Sequence, residues 1–220
     1  MGYLGAKSGS GVYQAIVAHM PPHDTYIETH LGTGVIMRAK PPALRSIGVD
    51  LDPQTLAAFA PAYPVELHNV DCTAFLRDFD FSAAGRVLIY ADPPYVLASR
   101  TSAARYRFDH TDDDHRELIA TLRALPASVL LSGYPSALYD DLLPDWPSIE
   151  FQAMTRGGVR TEKLWRNFEI DTAHWATFAG DGFTRRQQIK RKAATWAKRY
   201  RELEPGERLA ILAAILAEHA

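Results

Sequence analysis

Asp92-Pro93-Pro94-Tyr95 follows directly on Arg86 to Tyr90, a nearly continuous apolar run of the kind that forms a strand buried on both faces. Two successive prolines fix φ at both positions and hold the chain extended. Asp92 and the Pro93 carbonyl then offer two neighbouring acceptors, and Tyr95 a flat ring. That set suits a planar amino group on a heterocycle. The acceptors take its two protons and the ring stacks beneath it. Such an amine is a weak nucleophile because its lone pair is delocalised, and hydrogen bonds completed only in the transition state lower the barrier to its attack.

Further candidates close other strand-like runs. Gly32 and Gly34 end Thr25 to Thr29, where glycine lets a backbone approach a ligand. A nicotinamide fingerprint would need a third glycine at position 37, which is Met37, so a dinucleotide site is disfavoured. Asp50 closes Ser46 to Val49 and suits a pair of ribose hydroxyls; Asp71, just after Val65 to Asn69, suits an adenine edge or equally a helix cap. Taken together they outline a slot for an adenosine. Cys72 reads as a small buried side chain, and a single cysteine excludes an intrachain disulfide and a multi-cysteine zinc site. His19 and His23 are four apart, but Pro21 and Pro22 keep them off one helix, so no metal is expected.

These positions need an alternating α/β framework. After the four runs above, Ser128 to Ser132 gives a fifth strand, preceded by an amphipathic helix from Asp112 to Leu125. Ile149 to Thr155 and Glu162 to Phe168 form an antiparallel edge hairpin with Arg156 to Arg160 at its tip. From Thr184 the chain reads as two helices broken at Pro205-Gly206. We expect a body over residues 1–170 and a basic helical appendage over 171–220. The 220 residues are 47% hydrophobic and 23% charged, which excludes wholesale disorder. The longest apolar run, Leu209 to Ala217, has nine residues, too few for a membrane helix. No signal pattern opens the sequence, and a cytoplasmic, reducing compartment is expected.

The D-P-P-Y segment resembles that of the S-adenosylmethionine-dependent DNA N6-adenine methyltransferases. Other stretches carry the same likeness. Tyr3-Leu4-Gly5-Ala6-Lys7 is similar to the family's Y-x-G-x-K segment, and Tyr26 to Gly34 to its E-P-F-x-G-x-G donor turn. Val49 to Pro53 resembles its D-x-N-P segment and Thr161-Glu162-Lys163-Leu164-Trp165 its T-E-x-L-W strand. Thr29 and His30 stand where the family has Pro-Phe. The resemblance implies a Rossmann-like class I methyltransferase fold, a seven-stranded, mostly parallel sheet closed by the hairpin. It implies catalysis by Asp92, Pro93, Pro94 and Tyr95. The donor would be held by Tyr3, Gly5, Lys7, Glu28, Gly32, Gly34, Asp50, Asp71 and Cys72. Methyl transfer would go to adenine N6 in DNA, without a metal; cytosine N4, or adenine in RNA, is the alternative. A non-catalytic nucleic-acid-binding protein on the same fold is a second.

Many relatives insert a recognition domain before D-P-P-Y, yet Asp71 and Asp92 are only 21 positions apart. A short or relaxed target site is therefore expected. DNA contacts fall to Arg100, Arg105 and Arg107 with Tyr106 and Phe108, to Arg156 and Arg160, and to Arg185, Arg186, Lys190 and Arg191. Between Gly182 and Arg201 there are eight basic residues and no acidic one, although the whole chain carries a net charge of only −2. The last helix is apolar over much of its surface, so it either docks on the body or pairs with another chain. A monomer or a weak homodimer through that helix is expected.

Overall fold

The computed structural model describes residues 12–99, 107–155, 158–169 and 183–217. Tyr3, Gly5, Lys7, Arg100, Arg105, Tyr106 and Arg156 lie outside them. The chain divides into two compact units, Met1–His174 and Trp175–Ala220.

The first unit runs α1 (Val12–Ala18), β1 (Thr25–Glu28), α2 (Val35–Ala39), β2 (Arg45–Val49), α3 (Pro53–Ala58), β3 (Glu66–His68), α4 (Cys72–Asp78) and β4 (Val87–Ala91). It continues with α5 (Asp112–Ala124), β5 (Ser128–Gly133), α6 (Ala137–Leu142), β6 (Ser148–Thr155) and β7 (Gly158–Arg166). The strands form one sheet in the order β3-β2-β1-β4-β5-β7-β6. β1 to β5 are parallel, and β7 runs antiparallel to both β5 and β6. This is the expected seven-stranded class I, Rossmann-like architecture. The order reverses between β1 and β4, which opens a crevice at their carboxyl ends.

β1 and β4 are buried at every residue. Their alternate side chains go to opposite faces. Ile27, Ile47, Ile89, Val129 and Leu131 join a core with Leu76 of α4, Leu118, Ile119 and Leu122 of α5, and Leu138 and Tyr139 of α6. Each such aliphatic side chain contributes about 1.5–3 kcal/mol on burial. The other face carries Tyr26, Glu28, Leu88, Tyr90, Leu130 and Ser132, all at most 2% exposed. There α2 lies close enough for the Met37 backbone N–H to bond Glu28.

Local signals set the helix starts. α5 begins with a capping box between Thr111 and Asp114 and carries three aspartates in its first turn. Asp52 caps α3 ahead of Pro53, Asp71 caps α4, and Ser136 caps α6.

Some boundaries differ from the sequence reading. β4 starts one residue late, at Val87, since the Arg86 N–H and guanidinium are turned to Asp24. β7 begins at Gly158 rather than Glu162, so Val159, Arg160 and Thr161 pair with Met154, Ala153 and Gln152. Arg160 is thus a strand residue, and the expected tip is shorter. In the second unit, α7 (Phe183–Glu202) and α8 (Pro205–Ala217) meet at Leu203 and Glu204. Pro205 opens α8 instead of breaking a helix, because a first-turn proline gives up no helical hydrogen bond. The Tyr200 hydroxyl donates to the Arg208 carbonyl at 3.0 Å and joins these two helices.

The turn after β1 depends on Gly34, which caps α2 in the left-handed region at φ +63°. A Cβ there would run into the Phe59 ring. Gly34→Ala is expected to cost roughly 2–4 kcal/mol in urea unfolding. In a Phe59→Leu background the same change should cost less. An equal cost in both backgrounds would show that the ring is not what the glycine avoids.

Candidate functional site

The candidate groups gather at the carboxyl edge of β1, β2, β4 and β5. Residue 92 follows β4 on the face already used by Leu88 and Tyr90. The Ser132 hydroxyl, at the end of β5, donates to Asp92 Oδ1 at 2.8 Å. Ser132 Oγ also lies 2.8 Å from the Tyr90 hydroxyl. Pro93 is buried and Pro94 partly so. The chain then turns through Leu97–Ser99, a single 3-10 turn.

Tyr95 is held from two sides. Its hydroxyl donates to Glu162 of β7, at 2.9 Å to Oε1 and 3.2 Å to Oε2. Its ring lies 4.1 Å from that of Tyr134, tilted by 35°. Glu162 is only 4% exposed. The sequence pattern placed Glu162 on its strand without revealing that it fixes the Tyr95 ring. Tyr134 carried no signal beyond its position just past β5.

On the other side of the crevice, Asp50 braces two loops. Its Oδ2 accepts the Gly32 N–H at 2.8 Å and its Oδ1 the Asp52 N–H at 2.9 Å. Burial pushes the Asp50 carboxyl up from its ordinary value despite these bonds. A carboxylate accepts about four hydrogen bonds, so acceptor capacity remains. Asp71 Oδ1 accepts the Thr73 and Ala74 N–H groups, both at 2.9 Å, as a helix cap. Cys72, the first residue of α4, is buried with Sγ 3.6 Å from His30 Nε2, and burial pushes its thiol up to about 12. His30 thus packs toward Cys72 and, ring to ring at 5.4 Å, toward His110.

Arg107 is one of the expected DNA contacts, and it also has a partner within the chain. The structure pairs its guanidinium with Asp52 at 2.6 Å, so it anchors its loop to the start of α3. In the second unit Arg185, Lys190 and Arg191 are exposed, and so is Trp196, at 61%. Among the described residues no cluster of three His, Cys, Asp or Glu side chains could hold a metal, and no helix is long and apolar enough to cross a membrane.

Two buried ionisable groups stand out. Glu28, at the end of β1, accepts the Tyr26 hydroxyl at 3.0 Å. Burial raises its carboxyl to about 8, with the nearby Asp92 charge adding to the shift. Lys40 is 3% exposed, with Nζ 4.3 Å over the Tyr26 ring and 2.7 Å from the Pro41 carbonyl. Burial lowers it to about 8, against the pull of Glu28. Neither Lys40 nor its link to Glu28 was visible in the spacing.

No protein-family model matches this chain, and no curated protein sequence does. Solved structures resemble it. The N-methyltransferase NodS from Bradyrhizobium japonicum WM9 is 10% identical, with a TM-score of 0.47 over 71% of this chain and 93% of that one. An rRNA methylase from Streptococcus thermophilus is 8% identical, with a TM-score of 0.46 over 73% and 97%. The O-methyltransferase TomG from Streptomyces achromogenes is 14% identical, with a TM-score of 0.45 over 69% and 76%. At these levels the fold rests on the strand order and directions of the sheet itself.

Glu28 generates a pH prediction. Its folded value of about 8 lies above the ordinary 4.5, so its contribution to stability is fully present below 4.5 and is lost as pH rises through 8. Lys40 moves oppositely: its contribution is present above 10.5 and is lost as pH falls through 8. Between about pH 5 and 7.5 the Glu28 effect therefore dominates. Wild type should lose roughly 2–4 kcal/mol relative to Glu28→Gln across that interval, read from urea unfolding. A difference independent of pH would mean that Glu28 ionises normally in the folded chain.

Proposed function

We propose that this chain transfers a methyl group from S-adenosylmethionine to N6 of adenine in DNA, as do the D-P-P-Y methyltransferases it resembles. One observation carries the reading: Asp92-Pro93-Pro94-Tyr95 leaves the buried central strand β4 beside Glu28 of β1, where the strand order reverses.

The donor-side residues fit such a molecule. Gly32 and Gly34 both have positive φ, at 50° and 63°, and leave bare backbone at the turn. Asp50 retains acceptor capacity for ribose hydroxyls, and Glu28 offers a buried carboxyl to an ammonium group. A cation arriving beside Glu28 would favour its ionised form. When bound, the donor supplies a methyl group on a positively charged sulfur, ready for a single direct displacement.

The chain's own part is alignment and hydrogen bonding. Asp92 and the Pro93 carbonyl accept the two amine hydrogens and favour the tetrahedral nitrogen of the transition state. In that displacement the new nitrogen–carbon bond would replace the carbon–sulfur bond, whose electron pair would stay on sulfur, and the surplus amine proton would pass to water. Tyr95, fixed by Glu162 and Tyr134, supplies the surface for a base turned out of the duplex. Exposed Arg185, Lys190 and Arg191 of α7 suit phosphates, which set register without reading sequence.

The test is methyl transfer to adenine-containing duplex DNA by wild type and Asp92→Ala. Wild type should turn over. Asp92→Ala should lose about 100-fold or more in kcat while binding the donor within a few-fold of wild type, because the carboxylate acts on the amine. A near-normal kcat in the variant would remove Asp92 from the mechanism.

A further inference from the structure

Asp92 does not stand alone at the end of β4. Ser132 is 0% exposed and Tyr90 1% exposed. Their strands are locked in register, Tyr90 against Leu130 and Ala91 against Leu131, so the next pair along is Asp92 beside Ser132. Ser132 Oγ lies 2.8 Å from both Asp92 Oδ1 and the Tyr90 hydroxyl, and 3.5 Å from the Ala91 carbonyl.

The direction of these bonds follows from proton counting. A carboxylate accepts only, so Ser132 gives Asp92 its single proton. Its oxygen then accepts, and the Tyr90 hydroxyl donates to it. The result is a buried chain from Tyr90 to Ser132 to Asp92, in which each bond polarises the next and the last is charge-assisted.

We propose that Ser132, backed by Tyr90, is a positioning residue that fixes the plane of the Asp92 carboxylate and so aims Oδ2 at the target amine. This rests on the function proposed above. Tyr90 acts only through Ser132, and Ser132 only through Asp92.

Kinetics and one structure of the full chain test it. Ser132→Ala should lower kcat roughly 10- to 100-fold, the scale on which supporting hydrogen bonds matter to the groups they orient. KM for DNA and donor affinity should stay within about twofold, and Ser132→Thr should restore most of the rate. Tyr90→Phe should show a smaller loss of the same kind. The double variant Ser132→Ala/Tyr90→Phe should be no slower than Ser132→Ala alone, because one chain is cut in both. A crystal structure of Ser132→Ala should show the Asp92 carboxylate rotated or in two orientations. Unchanged kcat in Ser132→Ala, or losses that multiply in the double variant, would overturn the proposal. Should Ser132→Ala fail to fold, an unchanged kcat in folded Tyr90→Phe would overturn it equally. A wild type that transfers no methyl group at all would instead refute the parent reading. A rotated Asp92 would then still establish Ser132 as its anchor.

Discussion

β4 is buried at all five of its residues between β1 and β5. A strand in that position cannot carry a polar side chain lacking a partner, so chemistry is deferred to its end. The same holds for β1, whose one carboxyl side chain, Glu28, is its last residue. Parallel pairing then brings these ends to one edge of the sheet. Glu28, Asp92 and Ser132 stand side by side for that reason.

The helix starts lie at the same edge. In a parallel sheet each strand feeds a helix whose first N–H groups need acceptors. Asp52, Asp71 and Ser136 meet that need. Asp50 goes further and joins the turn after β1 to the start of α3 through Gly32 and Asp52. Asp52 in turn receives Arg107 from the segment downstream of Tyr95. Asp50, Asp52 and Asp71 are thus structural braces. Glu28 differs. With the Tyr26 hydroxyl as donor and Lys40 nearby, it is a buried carboxyl whose pKa burial pushes up from its ordinary value.

What the sequence made legible depends on how far each signal extended. The apolar run before Asp92 and the two-stranded edge were readable because burial on both faces and regular pairing leave long marks. The helix α5 is readable from its amphipathic period. The short helices α2, α4 and α6 have five to seven residues, too few to show a period; Asp71 and Ser136 cap two of them as ordinary polar residues do, and glycine caps the third. The Arg156 to Arg160 stretch reads as a turn because it is rich in glycine and charge; pairing with β6 draws Gly158, Val159 and Arg160 into β7 and overrides that local preference. Ser132 carries no signal in the sequence beyond its place at the end of a strand run. Its partner Tyr90 lies on another strand, and only the β4–β5 register brings them together. The pairing of Arg107 with Asp52 likewise depends on the fold, since the two lie 55 positions apart.

The central claim is the transfer of a methyl group to an exocyclic amine of a nucleic-acid base. Its most direct test incubates the full chain and S-adenosylmethionine with DNA and, separately, with RNA, digests each to nucleosides, and identifies the products by mass spectrometry. N6-methyldeoxyadenosine is expected from DNA with wild type and not with Asp92→Ala. Methylated cytosine or a product from RNA alone would keep the chemistry and change the substrate. Absence of any methylated nucleoside from a folded chain that binds the donor would refute methyl transfer to a base.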